Sequence, residues 1–324
     1  MMMSYPYDVS IVIPLYNEEE SLPELEVWIR EVMLKHHLSY EIIFIDDGST
    51  DNSWQVIQKL AGNNAAVKAH RFQRNYGKSA GLHMGFKAAK GEVVITMDAD
   101  LQDSPDEVPE LVAMIRSGYH IVSGWKKKRF DPISKTIPTK LYNWAARKMS
   151  GIQLHDFNCG LKAYQNKVVK SIEVYGEMHR YIPVIAKWNG YKKIGEKVVQ
   201  HRARKYGTTK FGLERFIYGP LDLLSISFVS KFKKRPMHFF GSLGVLAFLA
   251  GLGITVYLIA EKLYHIYIYN NGVHRDVVNN TWFYLALVSI VIGVQLFLAG
   301  FLGEMMIQHS DKKSDYLVEE SIGL

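Results

Sequence analysis

Cysteine is almost missing from this 324-residue chain: Cys159 is the single thiol, which excludes an internal disulfide and points to a reducing compartment. Asp, Glu, Lys and Arg are absent from Phe239 to Ala260 and again from Thr281 to Gly303. Each run exceeds the about 20 residues a helix needs to cross a hydrocarbon core, and two in tandem predict a membrane hairpin. No GxGxxG follows a strand pattern and no GxxxxGK[ST] occurs, which disfavours dinucleotide oxidoreductases and P-loop ATPases. Zinc-finger spacing and an aromatic RNA-binding signature are missing as well. The net charge of +7 and pI near 9.1 therefore read as a basic belt over an anionic membrane rather than a nucleic-acid surface. Met1 to Tyr7 has no apolar core of the signal-peptide kind, so the N-terminal domain is expected to stay in the cytosol.

What is present divides the chain. Residues 1–210 mix charge and apolar residues as a folded domain does. Residues 211–236 alternate apolar and polar positions around Pro220, and read equally as helices lying on a membrane or as a helix packed back on the domain. Two spans follow at about 239–260 and 281–303, within 237–306, and then a tail, 307–324. Lys231, Lys233, Lys234 and Arg235 precede the first span and Lys312 and Lys313 follow the second, against Lys262 and Arg275 between them. The positive-inside rule then predicts a multi-pass protein with both termini and the catalytic domain cytosolic. Small residues Ala247 and Gly251 on one helical face suggest close helix contact and a homo-oligomer.

The N-terminal part alternates strand and helix patterns. VSIVI (Val9–Ile13) and EIIFI (Glu41–Ile45) read as buried strands, Val67–Phe72 and Glu92–Met97 as further ones, with helices between them. Ser21 and Glu24 have capping-box spacing before the first helix. Such alternation predicts a Rossmann-like α/β domain with a mostly parallel sheet, whose ligands bind beyond the carboxyl ends of the strands. The acidic clusters fall there: Asp46-Asp47 after one strand and Asp98-Ala99-Asp100 after another. Two carboxylates at i and i+2 of an extended chain point the same way. With Gln102 they suit Mg2+ or Mn2+, whose shell substrate phosphates complete.

Ile13-Pro14-Leu15-Tyr16-Asn17-Glu18, Asp46-Asp47-Gly48-Ser49-Thr50-Asp51 and Asp98-Ala99-Asp100-Leu101-Gln102, in this order, resemble glycosyltransferase family 2. Within it the chain is similar to the polyprenyl-phosphate and dolichol-phosphate glycosyltransferases, and the two spans resemble the bacterial polyprenyl-phosphate glucosyltransferase subgroup. The resemblance implies a GT-A fold and inverting transfer of a hexose from a nucleotide sugar, UDP-glucose first and GDP-mannose as the alternative, to a polyprenyl-phosphate lipid. It also makes a tetramer the expected oligomer. Pro14, Tyr16, Glu18 and Asp47 would line the nucleotide pocket, with Lys78 on the donor and Asp98, Asp100 and Gln102 on metal and diphosphate. Asp156, in His155-Asp156-Phe157-Asn158-Cys159-Gly160, matches an element near the acceptor. A phosphate acceptor has a second pKa of about 6 and is already nucleophilic at neutral pH, so Asp156 is expected to orient rather than to take a proton. Lys126, Arg129, Arg180, Arg202, Arg204, Thr208 and Lys210 are the expected phosphate-gripping residues. Lys126 stands where relatives commonly carry arginine, and Arg204 joins Asp100 and Asp156 in the expected catalytic set. A processive polysaccharide synthase, the rival enzyme, would need more spans and a QxxRW motif, which is absent. A membrane scaffold without activity is the rival from another class, and the intact carboxylates argue against it.

Overall fold

The computed structural model describes residues 5–127, 143–144, 146–148, 150–176, 178–202, 205–206, 236–269, 277–309 and 318–323. The segment 211–235, Arg129, Arg204, Thr208 and Lys210 lie outside the described residues. The described strands β1 (Tyr7–Leu15), β2 (Tyr40–Asp46), β3 (Val67–Phe72), β4 (Gly91–Thr96), β5 (Ile121–Trp125), β6 (Lys162–Gln165), β7 (Ile194–Val198) and β8 (Val318–Ile322) form one sheet ordered β7-β5-β6-β4-β1-β2-β3-β8. β1 lies between β2 and β4, parallel to both, and β3 extends the parallel run. The chain leaves β1 toward β2 on one side and returns to β4 on the other, so the strand order reverses at β1, the place where open α/β sheets form their ligand crevice. The sheet is mostly parallel but mixed: β6 runs antiparallel to β4 and β5, and β8 antiparallel to β3. Val318–Ile322 of the tail thus closes the sheet's β3 edge.

Helices α1 (Leu22–Lys35), α2 (Ser53–Asn63) and α4 (Val108–Arg116) supply one apolar layer, while α3 (Lys78–Ala88), α5 (Asn166–Ser171) and α6 (Ile182–Trp188) supply the other. Side chains on β1 alternate between the layers: Ile11 and Ile13 pack with Leu25, Ile29 and Leu111, whereas Val12 packs with Leu82 and Phe86. Burial on both faces is why these strands are unbroken apolar runs rather than alternating ones.

The expected capping box does not form. Ser21 has helical dihedrals and its hydroxyl donates to the Glu18 carbonyl, 3.0 Å away. Glu24 is drawn off by Lys205 (2.7 Å) and Tyr206 (3.2 Å). At the opposite end of the sheet Asp8 accepts from the Ser39 hydroxyl and from Arg116, which also bonds Glu92. The Ser39 hydroxyl, and then Arg116, hold the Asp8 carboxyl below its ordinary 3.8 against a desolvating contribution from burial. A depressed carboxylate contributes stability above its unfolded pKa and loses it as pH falls through the folded one. The melting-temperature gap between wild type and Asp8→Asn should therefore be full at pH 6 and close as the pH drops below about 4; a gap that widens in acid would contradict the arrangement.

Residues 227–314 form a second unit. Its helices α7 (Pro236–Tyr264), extended by one π-helical turn at His265–Tyr269, and α8 (Thr281–His309) are long and apolar enough to cross a membrane, with mean hydropathy 2.3 and 2.5. They touch through glycine. Cβ atoms added at Gly244, Gly251 and Gly293 would lie 2.6 Å from backbone atoms of the facing helix. Ser289 Oγ donates to the Ala247 carbonyl at 2.7 Å, and Glu304 accepts the Met237 amide at 3.3 Å, satisfying one orphan donor of the α7 N-terminus. Gly251 and Ala247 are therefore engaged inside the hairpin. The small-residue face read from the sequence packs α7 on α8.

Candidate active site

The turns after β1 and β2 are laced together. Asn17 Oδ1 accepts the Thr50 amide (2.8 Å), Ser49 Oγ accepts the Asn17 amide (2.9 Å), and Ser53 Oγ accepts that of Glu18 (2.9 Å). Asn17 sits at φ +55°, a left-handed conformation that asparagine tolerates better than most residues. Pro14 and Tyr16 thereby stand at the C-terminal rim of β1. Asp46 Oδ1 accepts the Ser49 amide at 2.9 Å, fixing the turn. Asp47, expected to read the base, is 5 % exposed and accepts the amides of Tyr76 (2.7 Å) and Gly77 (2.9 Å) at the start of α3. Burial raises its pKa against the pull of those two amides. Its first task is to join the β2 turn to α3, a role that the spacing alone did not show.

Asp98 and Asp100 follow β4, across the crevice. Leu101 takes φ +60°, so the chain doubles back immediately after the second carboxylate, and Asp100 Oδ1 accepts the Gln102 amide at 3.1 Å. Asp98 forms an ion pair with Lys78, and both side chains are about one-third exposed, 33 % and 35 %. Burial works to raise the Asp98 pKa, but Lys78, Lys126 and Lys162 outweigh it and hold the carboxyl down at about 2. It is ionised at any physiological pH. Among the described residues no three His, Cys, Asp or Glu side chains cluster as a closed metal cage. The donor set, two carboxylates with Gln102 beside them, is the hard-oxygen, incomplete kind that suits Mg2+ or Mn2+ when substrate phosphates supply the remaining ligands.

The other expected residues are distributed less evenly. Lys78 and Arg180 line an open cleft beside Asp98, together with Thr96, Asn158, Lys162 and His179. Lys126 is turned inward onto fully buried Asp103, 2.7 Å away. Against the desolvation of burial, Asp103 first and Asp98 more weakly hold the ammonium well above its ordinary pKa, so its charge is already matched. Asp156 is 1 % exposed and its Oδ1 accepts the Asn158 amide at 3.1 Å, while its own amide donates to Glu196. It shapes the 156–160 turn from below and is not among the residues lining the cleft. Gly160 in that turn faces Asp98 directly: a Cβ there would lie 2.7 Å from Asp98 Cγ. Cys159, buried beneath, has its thiol pushed up to about 12 by desolvation, which leaves it unreactive. Lys162, His179 and Asn158 were not singled out by the sequence; the one available signal was a lysine inside the short run Leu161–Tyr164.

Arg202 is directed away from the cleft. Its guanidinium lies 4.1 Å from the Trp28 ring centroid and 4.0 Å from Asp106. Its amide donates to the Gln102 carbonyl at 3.0 Å, and His201 bridges to Asp103. With Lys205 on Glu24, helix α1 fastens this basic segment alongside the Asp100–Gln102 turn. Trp28→Ala removes a cation–π contact of about 0.5–1 kcal/mol, so a rise of about two- to fivefold in acceptor KM with unchanged kcat is expected in steady-state assays, and Trp28→Phe should restore it. An unchanged KM in Trp28→Ala would remove the fastening role.

This is a GT-A-type fold. Solved glucosyl-3-phosphoglycerate synthases from Mycobacterium tuberculosis superpose on 69% of the chain: the complex with Mn2+, UDP-glucose and phosphoglyceric acid at TM-score 0.54 and 19% identity over 79% of that chain, and the complex with Mn2+ and UDP-glucose at 0.53 and 20%, again over 79%. The protein belongs to glycosyl transferase family 2, whose model matches residues 10–172. It is 34% identical over 321 residues to a dodecaprenyl-phosphate galacturonate synthase of Rhizobium johnstonii, covering 97% of this chain and 92% of that one. It is 33% identical over 309 residues to an undecaprenyl-phosphate 4-deoxy-4-formamido-L-arabinose transferase of Pseudomonas aeruginosa, covering 94% and 87%.

Proposed function

We propose that this protein transfers a hexose unit from a nucleotide sugar, UDP-glucose or a related UDP-hexose, to the phosphate of a polyprenyl phosphate at the cytosolic membrane face. The observation that carries this reading is likeness over nearly the full length, hairpin included, to relatives named as polyprenyl-phosphate sugar synthases. Their sugars differ, so the relatives support the acceptor more strongly than the donor. The rim geometry agrees. Pro14, Tyr16, Glu18 and Asp47 bound the nucleotide side of the crevice, and Asp98 and Asp100, with Gln102, hold the diphosphate side. A divalent ion bound there supplies Lewis-acid neutralisation of the leaving diphosphate.

In the proposed step an acceptor phosphate oxygen attacks the anomeric carbon as the bond from that carbon to the nucleoside diphosphate oxygen breaks on the opposite face, inverting the centre. A dianionic phosphate brings no proton to remove, which agrees with an Asp156 enclosed in its turn. The nearby cations, Arg180 among them, offset repulsion between two anionic substrates, and Arg129, Arg204, Thr208 and Lys210 remain candidates for the same work. The two apolar helices keep the domain where the lipid is, with both termini cytosolic. Full-length protein in detergent, given Mn2+, a panel of radiolabelled nucleotide sugars including UDP-glucose and GDP-mannose, and a polyprenyl phosphate should yield a labelled, chloroform-soluble product. No lipid product with any donor would end the reading.

A further inference from the structure

The cleft beside Asp98 opens to solvent between β4, the 156–160 turn and the Met178–Tyr181 turn. Asp98 stands beside it, paired with Lys78, and among the described residues of its lining the basic side chains are Lys78, Lys162 and Arg180, with no carboxylate among them. His179 is kept neutral there, since burial, then Lys78 and Arg180, push its pKa well below 6.5. Lys162 is only 4 % exposed. Its ammonium donates to the Cys159 carbonyl, and among the described residues no carboxylate comes within ion-pair distance of it. Across the same cleft Asn158 Oδ1 is buried with no hydrogen-bond partner. A buried ammonium without a bonded counter-ion is costly, and so is an orphan buried acceptor. A ligand bringing both an oxyanion and a hydroxyl relieves both.

Sheet order shows which part of a donor reaches this place. The turns of β2 and β1 bound the nucleotide side, β4 carries Asp98 and Asp100, and β6, next in the sheet, carries Lys162. A donor laid along the rim from β2 toward β6 sets its diphosphate at β4 and its sugar over β6. Lys126, one strand further at the end of β5, is already neutralised by Asp103.

Resting on the reading above, we propose that this cleft is the sugar subsite and that it selects a donor whose sugar carries a carboxylate, a nucleotide-linked hexuronate rather than a neutral hexose. The carboxylate accepts from Lys162, and a ring hydroxyl donates to Asn158 Oδ1. This departs from UDP-glucose while keeping the reaction class.

The test compares UDP-galacturonate and UDP-glucuronate with UDP-galactose and UDP-glucose on the full-length protein, with Mn2+ and a polyprenyl phosphate. A charge-assisted hydrogen bond predicts that the better hexuronate exceeds its neutral counterpart by about 10- to 100-fold in kcat/KM. Lys162→Met should bring that ratio toward one, and Lys162→Arg should retain most of it. Neutral hexoses transferred as well as hexuronates would overturn the subsite and leave the proposed reaction standing. So would a Lys162→Met protein with an unchanged donor ratio and a raised KM for the lipid phosphate, which would assign the ammonium to the acceptor. The wild-type panel decides even if the variant does not fold. Absence of transfer from every nucleotide sugar of the wider panel would instead fail the reaction itself.

Discussion

Asp98→Asn and Asp100→Asn should each lower kcat/KM for sugar transfer by about a thousandfold or more, with the protein still folded. The size follows from what the pair is proposed to hold. Metal neutralisation of a leaving diphosphate is worth several kcal/mol of transition-state stabilisation, and each 1.36 kcal/mol is tenfold in rate. An amide keeps the shape but removes the charge that attracts a cation to hard oxygen donors. Stability should change little for Asp98→Asn, because the partner it abandons, Lys78, is 35 % exposed and can take up water. Calorimetry separates the two aspects. Wild type should bind UDP more tightly with Mn2+ than with EDTA, and Asp98→Asn should bind equally weakly with either. EDTA should likewise stop wild-type turnover and Mn2+ or Mg2+ restore it. A variant that keeps Mn2+-dependent UDP binding and near-normal turnover would take the metal away from Asp98.

Much of this arrangement was legible because it rests on local pattern. The β1, β2 and β4 runs are buried on both faces, so they read as strands, and chain order alone sets their acidic turns at one rim. Even the strand end was misread by only two residues: β1 continues through Pro14 to Leu15 because its pairing with β4 has ended at Val12↔Thr96. Proline, lacking an N–H, then occupies what is in effect an edge position. Features that depend on distant partners were not legible. β6 is four residues long with a buried lysine, and nothing in its sequence says that it slots antiparallel between β4 and β5. Arg202 and Lys126 sit in basic runs that read as phosphate grips, yet Trp28 holds one and Asp103 the other. Residue type showed that cations were available; only packing showed which of them were already engaged. The Ser21–Glu24 spacing failed for the same reason, Lys205 and Tyr206 having claimed the glutamate.

Gly160→Ala should cost about a hundred- to a thousandfold in kcat/KM while leaving the melting temperature close to wild type. The added methyl would stand 2.7 Å from Asp98 Cγ and closer still to Oδ2, separations that real Cβ atoms do not sustain. The backbone cannot simply retreat, since the Gly160 carbonyl accepts the Thr96 hydroxyl at 2.8 Å and Thr96 belongs to β4. Asp98 is the mobile party, one-third exposed at the mouth of the cleft, so the clash is resolved by turning its carboxylate away from the crevice. Displacing a reacting group by about 1 Å is enough to cost about a hundredfold, and the lost charge at the diphosphate adds to it. Gly62→Ala supplies the control: nothing lies within 4 Å of a Cβ there, and removing a helical glycine stabilises by about 0.4–1 kcal/mol. Metal-assisted UDP affinity should fall in Gly160→Ala in step with activity. If that affinity were intact while turnover fell, the methyl would be acting on the sugar or acceptor instead, and Asp98 would not depend on the bare backbone opposite it.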